Sequence, residues 1–228
     1  MKTAFAFLLP LLASASLLHA DYVVVQKVDG GMQSGEMTIK IKDGKARVDM
    51  APQISTISDS GSGDVITLMH TQKQFMRIPA AQTKALVEQM QKLSGTKAQA
   101  VAPKLTATGR KEKVGEYECE VYAWSAGGMT VNYWLADKFP DYSKVQAALE
   151  STQNAGLTSM MSGMMPRSSE FPGMAVKTEM SVAGQKVTTT LVSVKEQEVD
   201  PVVFELPKDY KEMATPAFNL PAQPAPQP

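Results

Sequence analysis

Cysteine, histidine and any surplus of charge are what this chain has least of. One cysteine, Cys119, stands among 228 residues, so no internal disulfide can form and stability has to come from packing. Glu118 and Glu120 flank that thiol and disfavour a thiolate, so it reads as a small buried hydrophobe on a strand. Lysine and arginine number 23 against 23 aspartates and glutamates. A nucleic-acid binder needs a basic surplus to neutralise phosphates, and that class is excluded. No histidine and cysteine spacing offers zinc ligands, and the glycine-rich stretches DGGMQSG and SGSGD lack the spacing that cradles phosphate. No metal and no cofactor are expected. What the chain does have is an ordinary apolar fraction, 43%, which excludes disorder of the whole and suits one domain with a core of normal size.

Beyond the first twenty residues no run approaches the ~18 apolar residues of a spanning helix. Within those twenty, Lys2 precedes an apolar stretch from Ala4 to Leu18, and LHA ends on the small residue Ala20. That is the pattern of a secretory signal peptide cleaved near Ala20. No cysteine follows it, so lipid attachment at a new N-terminal cysteine is excluded. Cleavage leaves 22 basic against 23 acidic groups and His70 as the remaining histidine. A periplasmic or otherwise exported, monomeric product is expected, without a transmembrane segment.

Period-two alternation broken by turn residues dominates the remainder, which means antiparallel sheet. In MTIKIKDGKARVDM the Asp43-Gly44 turn sets Met37 opposite Met50, Ile39 opposite Val48 and Ile41 opposite Ala46, with Lys40 and Arg47 on the other, wet face. Ala183-Gly184 likewise opposes Met180 to Val187 and Val176 to Leu191. Gly115-Glu116 opposes Lys113 to Glu118 and Lys111 to Glu120, a solvated charge ladder. The same strand returns after Gly127-Gly128, with Trp124 opposite Val131, Tyr122 opposite Tyr133 and Val121 opposite Trp134. Both faces of that ribbon carry apolar residues, which leaves its inner face open. Further strands fit YVVVQKV, QISTIS, DVITLMH and KQFMRIP. One helix follows Pro79, with Leu86, Met90 and Leu93 on a stripe. A second starts at Asp141, with Tyr142, Val145 and Leu149 on another. Ten or eleven strands and two helices result. Residues 94–103 read as a linker, 21–213 as a single domain, and 214–228 as a disordered tail rich in proline and alanine.

The ending LVSVKEQEVDPVVFELPKDYKEM, with Asp200, Phe204, Pro207 and Tyr210, resembles that of an uncharacterised family of exported bacterial proteins related to the LolA-like lipoprotein carriers. GEYECEVYAW with MTVNYWLAD, and Pro172-Gly173-Met174 leading into a strand, carry the same resemblance. It implies an α+β, mainly β fold: a curved antiparallel sheet or open half-barrel with two helices on its concave side and an apolar cavity that takes acyl chains.

The registers place Met37, Ile39, Ile41, Val48, Met50, Val176, Met180, Val187 and Leu191 on one continuous apolar face, to which Tyr122, Trp124, Val131, Tyr133 and Leu135 are added as cavity wall. Met160, Met161, Met164, Met165 and Met174 fall in a segment without stable period, and read as an adaptable lid over the cavity. Thioethers at that spacing also suit Cu(I), the weaker reading because no histidine or cysteine accompanies them. His70 has no nucleophile elbow near it, sits at a strand end and reads as exposed and without a role; no catalytic residue is expected. The function these residues suit is binding of a lipid or acyl chain, with an envelope protein as partner. A structural or interaction protein without ligand is the alternative.

Overall fold

The computed structural model describes residues 20–31, 34–93, 104–126, 128–153 and 165–213. Residues 1–19 of the expected signal peptide, the expected 94–103 linker, Met160, Met161, Met164 and the expected tail from 214 lie outside the described residues, as do the side chains of Leu86, Met90 and Leu93.

Twelve strands are described: β1 (Tyr22–Gly30), β2 (Gly35–Lys42), β3 (Lys45–Met50), β4 (Ile54–Asp59), β5 (Val65–Met69), β6 (Gln74–Ile78), β7 (Thr106–Val114), β8 (Tyr117–Ala126), β9 (Met129–Ala136), β10 (Met174–Val182), β11 (Gln185–Glu196) and β12 (Lys211–Glu212). Helix α1 (Ala80–Leu93) follows β6 and helix α2 (Tyr142–Gln153) follows β9. All strands join one sheet in the order β12-β6-β5-β4-β3-β2-β1-β11-β10-β9-β8-β7, and the ends do not meet. The architecture is therefore mainly β, an open curved sheet with two helices. Short local turns explain most of it. Asp43-Gly44 and Ala183-Gly184 both adopt positive φ, the two-residue geometry whose twist matches that of paired strands. Apart from Val176 opposite Leu191, the registers expected at both turns and along β7–β8–β9 are those observed.

Two features depart from expectation. Val176 is a bulge: Ala175 pairs with Leu135 and Lys177 with Trp134, so the β10–β11 ladder ends at Lys177–Thr190 before any Val176–Leu191 pair. An extra residue changes which β9 side chains are continuous with those of β10, because side chains alternate with period two. The single apolar face expected from alternation is consequently two clusters. In the first, Tyr22, Ile41, Val176 and Met174 pack with Cys119, Val121 and Trp134, and Val145 of α2 is buried among them. In the second, Trp124, Val131, Tyr133 and Leu135 pack with Met180 and Phe171.

The other departure is a strap. After β11 the chain crosses the face of β4–β6 opposite to the α2 side, burying Val199 and Phe204 against Ile57, Leu68 and Phe75. Asp200 accepts a 2.9 Å hydrogen bond from Val202 N and Pro201 opens the short turn Pro201–Phe204, both suited to a helical start. The strap ends as β12, parallel to β6, with Lys211 N on Lys73 O at 3.0 Å and Met213 N on Phe75 O at 2.8 Å. It covers a sheet edge that would otherwise present unpaired backbone groups. The face of β3–β6 expected to be wet is covered in this way.

Candidate functional site

Along β8 and β9 alternation sends Cys119, Val121 and Trp134 one way and Tyr122, Trp124, Val131, Tyr133 and Leu135 the other. The first set is satisfied core. Trp134 Nε1 donates to Glu112 Oε2 at 2.7 Å, the Lys177 ammonium lies 4.1 Å from its ring centroid, and burial pushes the Cys119 thiol up. The second set forms a wall. Met180 and Ala175 of β10 extend it, and Phe171 and Met165 pack on it from the segment before β10. The Phe171 ring lies 4.8 Å from that of Tyr133, and Tyr142 of α2 donates its hydroxyl to Phe171 O at 3.0 Å.

Beside this wall opens a cleft of about 590 Å³, lined by Tyr122, Leu135 and Pro172 and by the charged Lys111, Glu116, Glu118, Glu120, Asp137 and Lys138. That volume suits a small organic ligand. The charges do not form the expected ladder: Glu120 accepts the Tyr122 hydroxyl at 3.2 Å, and the ion pair on β7 is Arg110 with Glu112. Among the described residues two side-chain donors are buried without a hydrogen-bond partner, Trp124 Nε1 in this wall and the Tyr22 hydroxyl beneath α2. Burial alone pushes the Tyr133 hydroxyl up to about 12.

The other wall residues read from sequence are placed as follows. Ile39, Ile41, Val176 and Leu191 lie in the first cluster under α2. Met37 and Val48 are half-buried on that same face, Met50 at its margin is 41% exposed, and Met180 and Val187 form a half-buried pair. Met174 is corrected from lid to core: it opens β10 opposite Ala136 and is buried. Met165 is half-buried against Tyr133 and its neighbours.

His70 is the larger correction. It is half-buried, with Nε2 2.7 Å from Ser55 Oγ and Nδ1 2.6 Å from the Tyr210 hydroxyl on the strap. Ser55, 2% exposed, donates to Asp49 Oδ1 at 2.6 Å and accepts from Arg47 at 3.0 Å, while Arg47 also donates to Val203 O at 2.9 Å. Asp49 bridges Lys40 and Arg47, at 2.8 and 2.7 Å, which resolves the like-charge pairing that alternation imposes. Burial raises the Asp49 carboxyl, but hydrogen bonds from Lys40, Ser55 and Arg47 outweigh it and hold the group at about 2. The direction of these bonds decides the chemistry. With its proton committed to Asp49, Ser55 takes a donor from His70, so Nε2 carries hydrogen, and Nδ1 lies at hydrogen-bond distance from the Tyr210 hydroxyl. A general base would present its bare nitrogen to the serine. This arrangement is the reverse, a structural relay that ties the strap to β3–β5. Nothing local in the sequence signals it, because Val203 and Tyr210 lie far along the chain.

Among the described residues, no group of three or more histidine, cysteine, aspartate or glutamate side chains can hold a metal ion, and no helix is long and apolar enough to cross a membrane.

An open, curved, almost wholly antiparallel sheet with a helix packed on one face and an apolar wall beside a cleft defines the class. Residues 24–210 match the model of a domain of unknown function, DUF4412, and the chain belongs to that family. No curated protein matches it. Its fold is similar to that of PNGF-II at 10% identity and a TM-score of 0.41, over 85% of this chain and 31% of that one. The lipoprotein LppX of Mycobacterium tuberculosis is similar at 8% identity and 0.39, over 79% and 89% of the two chains. A LolA superfamily protein of Nitrosomonas europaea is similar at 10% and 0.28, over 83% and 91%. The chain spans about a third of the length of PNGF-II.

Proposed function

We propose that the mature chain is exported and, without catalysing a reaction, holds an apolar acyl-chain ligand against the Trp124–Tyr133 wall and its neighbouring cleft. The observation that carries this reading is the continuity of wall and cleft. Tyr122 and Leu135 belong to both, so an apolar chain that passes the charged residues of the cleft reaches aromatic and methionine surface on the wall. Met180 adapts to the chain's shape, and the aromatic rings supply area at low entropic cost. Export rests on the pattern of residues 1–20. It is supported by Asp21, whose carboxylate takes Lys42 at 2.5 Å and Val199 N at 2.9 Å, so a chain beginning there keeps its first residue in the fold.

Native mass spectrometry of the protein purified from the cell envelope tests the reading. Co-purifying mass equal to an acyl lipid, released by organic solvent, is the expected result. A bare polypeptide would instead favour a structural or interaction role without ligand. The packing of α2 over Ile39 and Ile41 supports that second reading, since it fills the other half of the surface.

A further inference from the structure

The two clusters of this sheet differ in how they treat their tryptophans. Trp134 has a carboxylate for its indole N–H, whereas Trp124, 3% exposed, has no acceptor. A buried donor left unmade is costly, and native proteins keep few of them. Trp124 is opposite Val131 and Tyr133 is opposite Tyr122, so Trp124 and Tyr133 are diagonal neighbours on one face of the β8–β9 ribbon. The Tyr133 side chain is 5% exposed, and its hydroxyl makes no hydrogen bond among the described residues. An orphaned indole N–H and a hydroxyl without a protein partner therefore lie on one face of an otherwise apolar wall. Around them Val131, Leu135, Met180 and Phe171 supply no side-chain acceptor beyond weak sulfur.

We propose that Trp124 Nε1 and the Tyr133 hydroxyl form a subsite for a carbonyl oxygen, that of an acyl ester whose hydrocarbon chain lies along the same wall. A carbonyl oxygen has two lone pairs and takes both donors at once. Its alkyl chain replaces contacts that Phe171 and Met180 make with the wall. This rests on the acyl-binding reading and adds what that reading lacks, the polar group that fixes the ligand's register. A pure hydrocarbon would leave the Trp124 donor orphaned, so the subsite discriminates against it.

The test compares 1-lauroylglycerol with its ether analogue 1-dodecylglycerol, which differ at the carbonyl, each below its micellar concentration and added to the mature chain labelled with 15N. The chain has two tryptophans, so two indole cross-peaks report directly. Downfield movement of the Trp124 peak with the ester, a still Trp134 peak, and about tenfold tighter binding of ester than ether are expected, that ratio being one net hydrogen bond's worth. Tyr133→Phe should retain binding and lower the ratio without abolishing it, since Trp124 still donates, with an unchanged circular dichroism spectrum. Equal binding of ester and ether by the wild-type chain, with the Trp124 peak unmoved, would overturn the subsite while leaving acyl binding intact. Failure of both ligands to bind would overturn the subsite together with the reading beneath it.

Discussion

Asp49 is a charge on which three side chains converge. It accepts from three donors, Lys40, Arg47 and Ser55, and through Ser55 it fixes which way His70 faces. Its folded carboxyl titrates at about 2 against an ordinary 3.8. The native state therefore holds this proton less tightly than the unfolded chain does. The resulting stability is fully present above the unfolded value and is lost as pH falls through the folded one. It amounts to about 2 kcal/mol at neutral pH. Asp49→Asn should lower the urea-melt stability at pH 7 by that amount and flatten the decline between pH 4 and pH 2. An unchanged acid limb in the variant would show that other carboxylates carry it. The alternation of this hairpin is written in the sequence, and so are the opposed Lys40 and Arg47. The reason the pairing is tolerated was not legible there, because the covering atoms, Val203 O and the Tyr210 hydroxyl, come from the strap.

Elements built on local turns were the legible ones. Two-residue turns fix register within a few residues of themselves, so β2–β3, β10–β11 and β8–β9 could be aligned from turn chemistry and alternation alone. Where a pairing depends on a bulge or on residues distant in sequence, alternation is silent: the break at Val176 and the two-residue β12 are of this kind. The turns also show where the chain is not at its best. Ala183 sits at φ 49°, a left-handed conformation costly for a residue with a Cβ. Ala183→Asn, suited to the first position of such a turn, should raise stability by about 1 kcal/mol in urea melts. No gain would mean that the turn is already relaxed in the unfolded ensemble's favour. Gly173 is the opposite case. A Cβ there falls on the Ala136 carbonyl and 2.8 Å from Asp137 N, backbone that cannot move without parting β9 from β10. Gly173→Ala should cost about 3 kcal/mol, as overpacking of a closed site does. A near-neutral thermal shift would show that this approach is looser than drawn.

At the scale of the molecule the sheet is held from both sides by elements of unequal character. On one face α2 is a conventional amphipathic cover, with Val145 buried in a core that spans β1, β2, β8, β9 and β10. On the other the strap buries two side chains, Val199 and Phe204, packs Val203, Leu206 and Tyr210 against the same cluster, and adds a polar grip. Asp21 holds its beginning, Arg47 its middle, and His70 with Lys73 its end, Lys73 pairing with Asp209 at 2.8 Å. The exposed ion pair contributes little, so the apolar contacts have to supply most of the strap's stability. Phe204, 9% exposed against Ile57, Leu68 and Phe75, is the largest of them. Phe204→Ala should cost about 3 kcal/mol. Its effect should also be local. The strap is continuous with β12 and β6 but shares no side-chain cluster with β8 and β9. Hydrogen exchange in the variant is therefore expected to rise across 199–213 and in β6, with β8 and β9 keeping wild-type protection. Uniform loss of protection along all the strands would mean that the strap closes the whole sheet cooperatively. The wall carrying Trp124 and Tyr133 would then depend on a segment on the far side of the molecule.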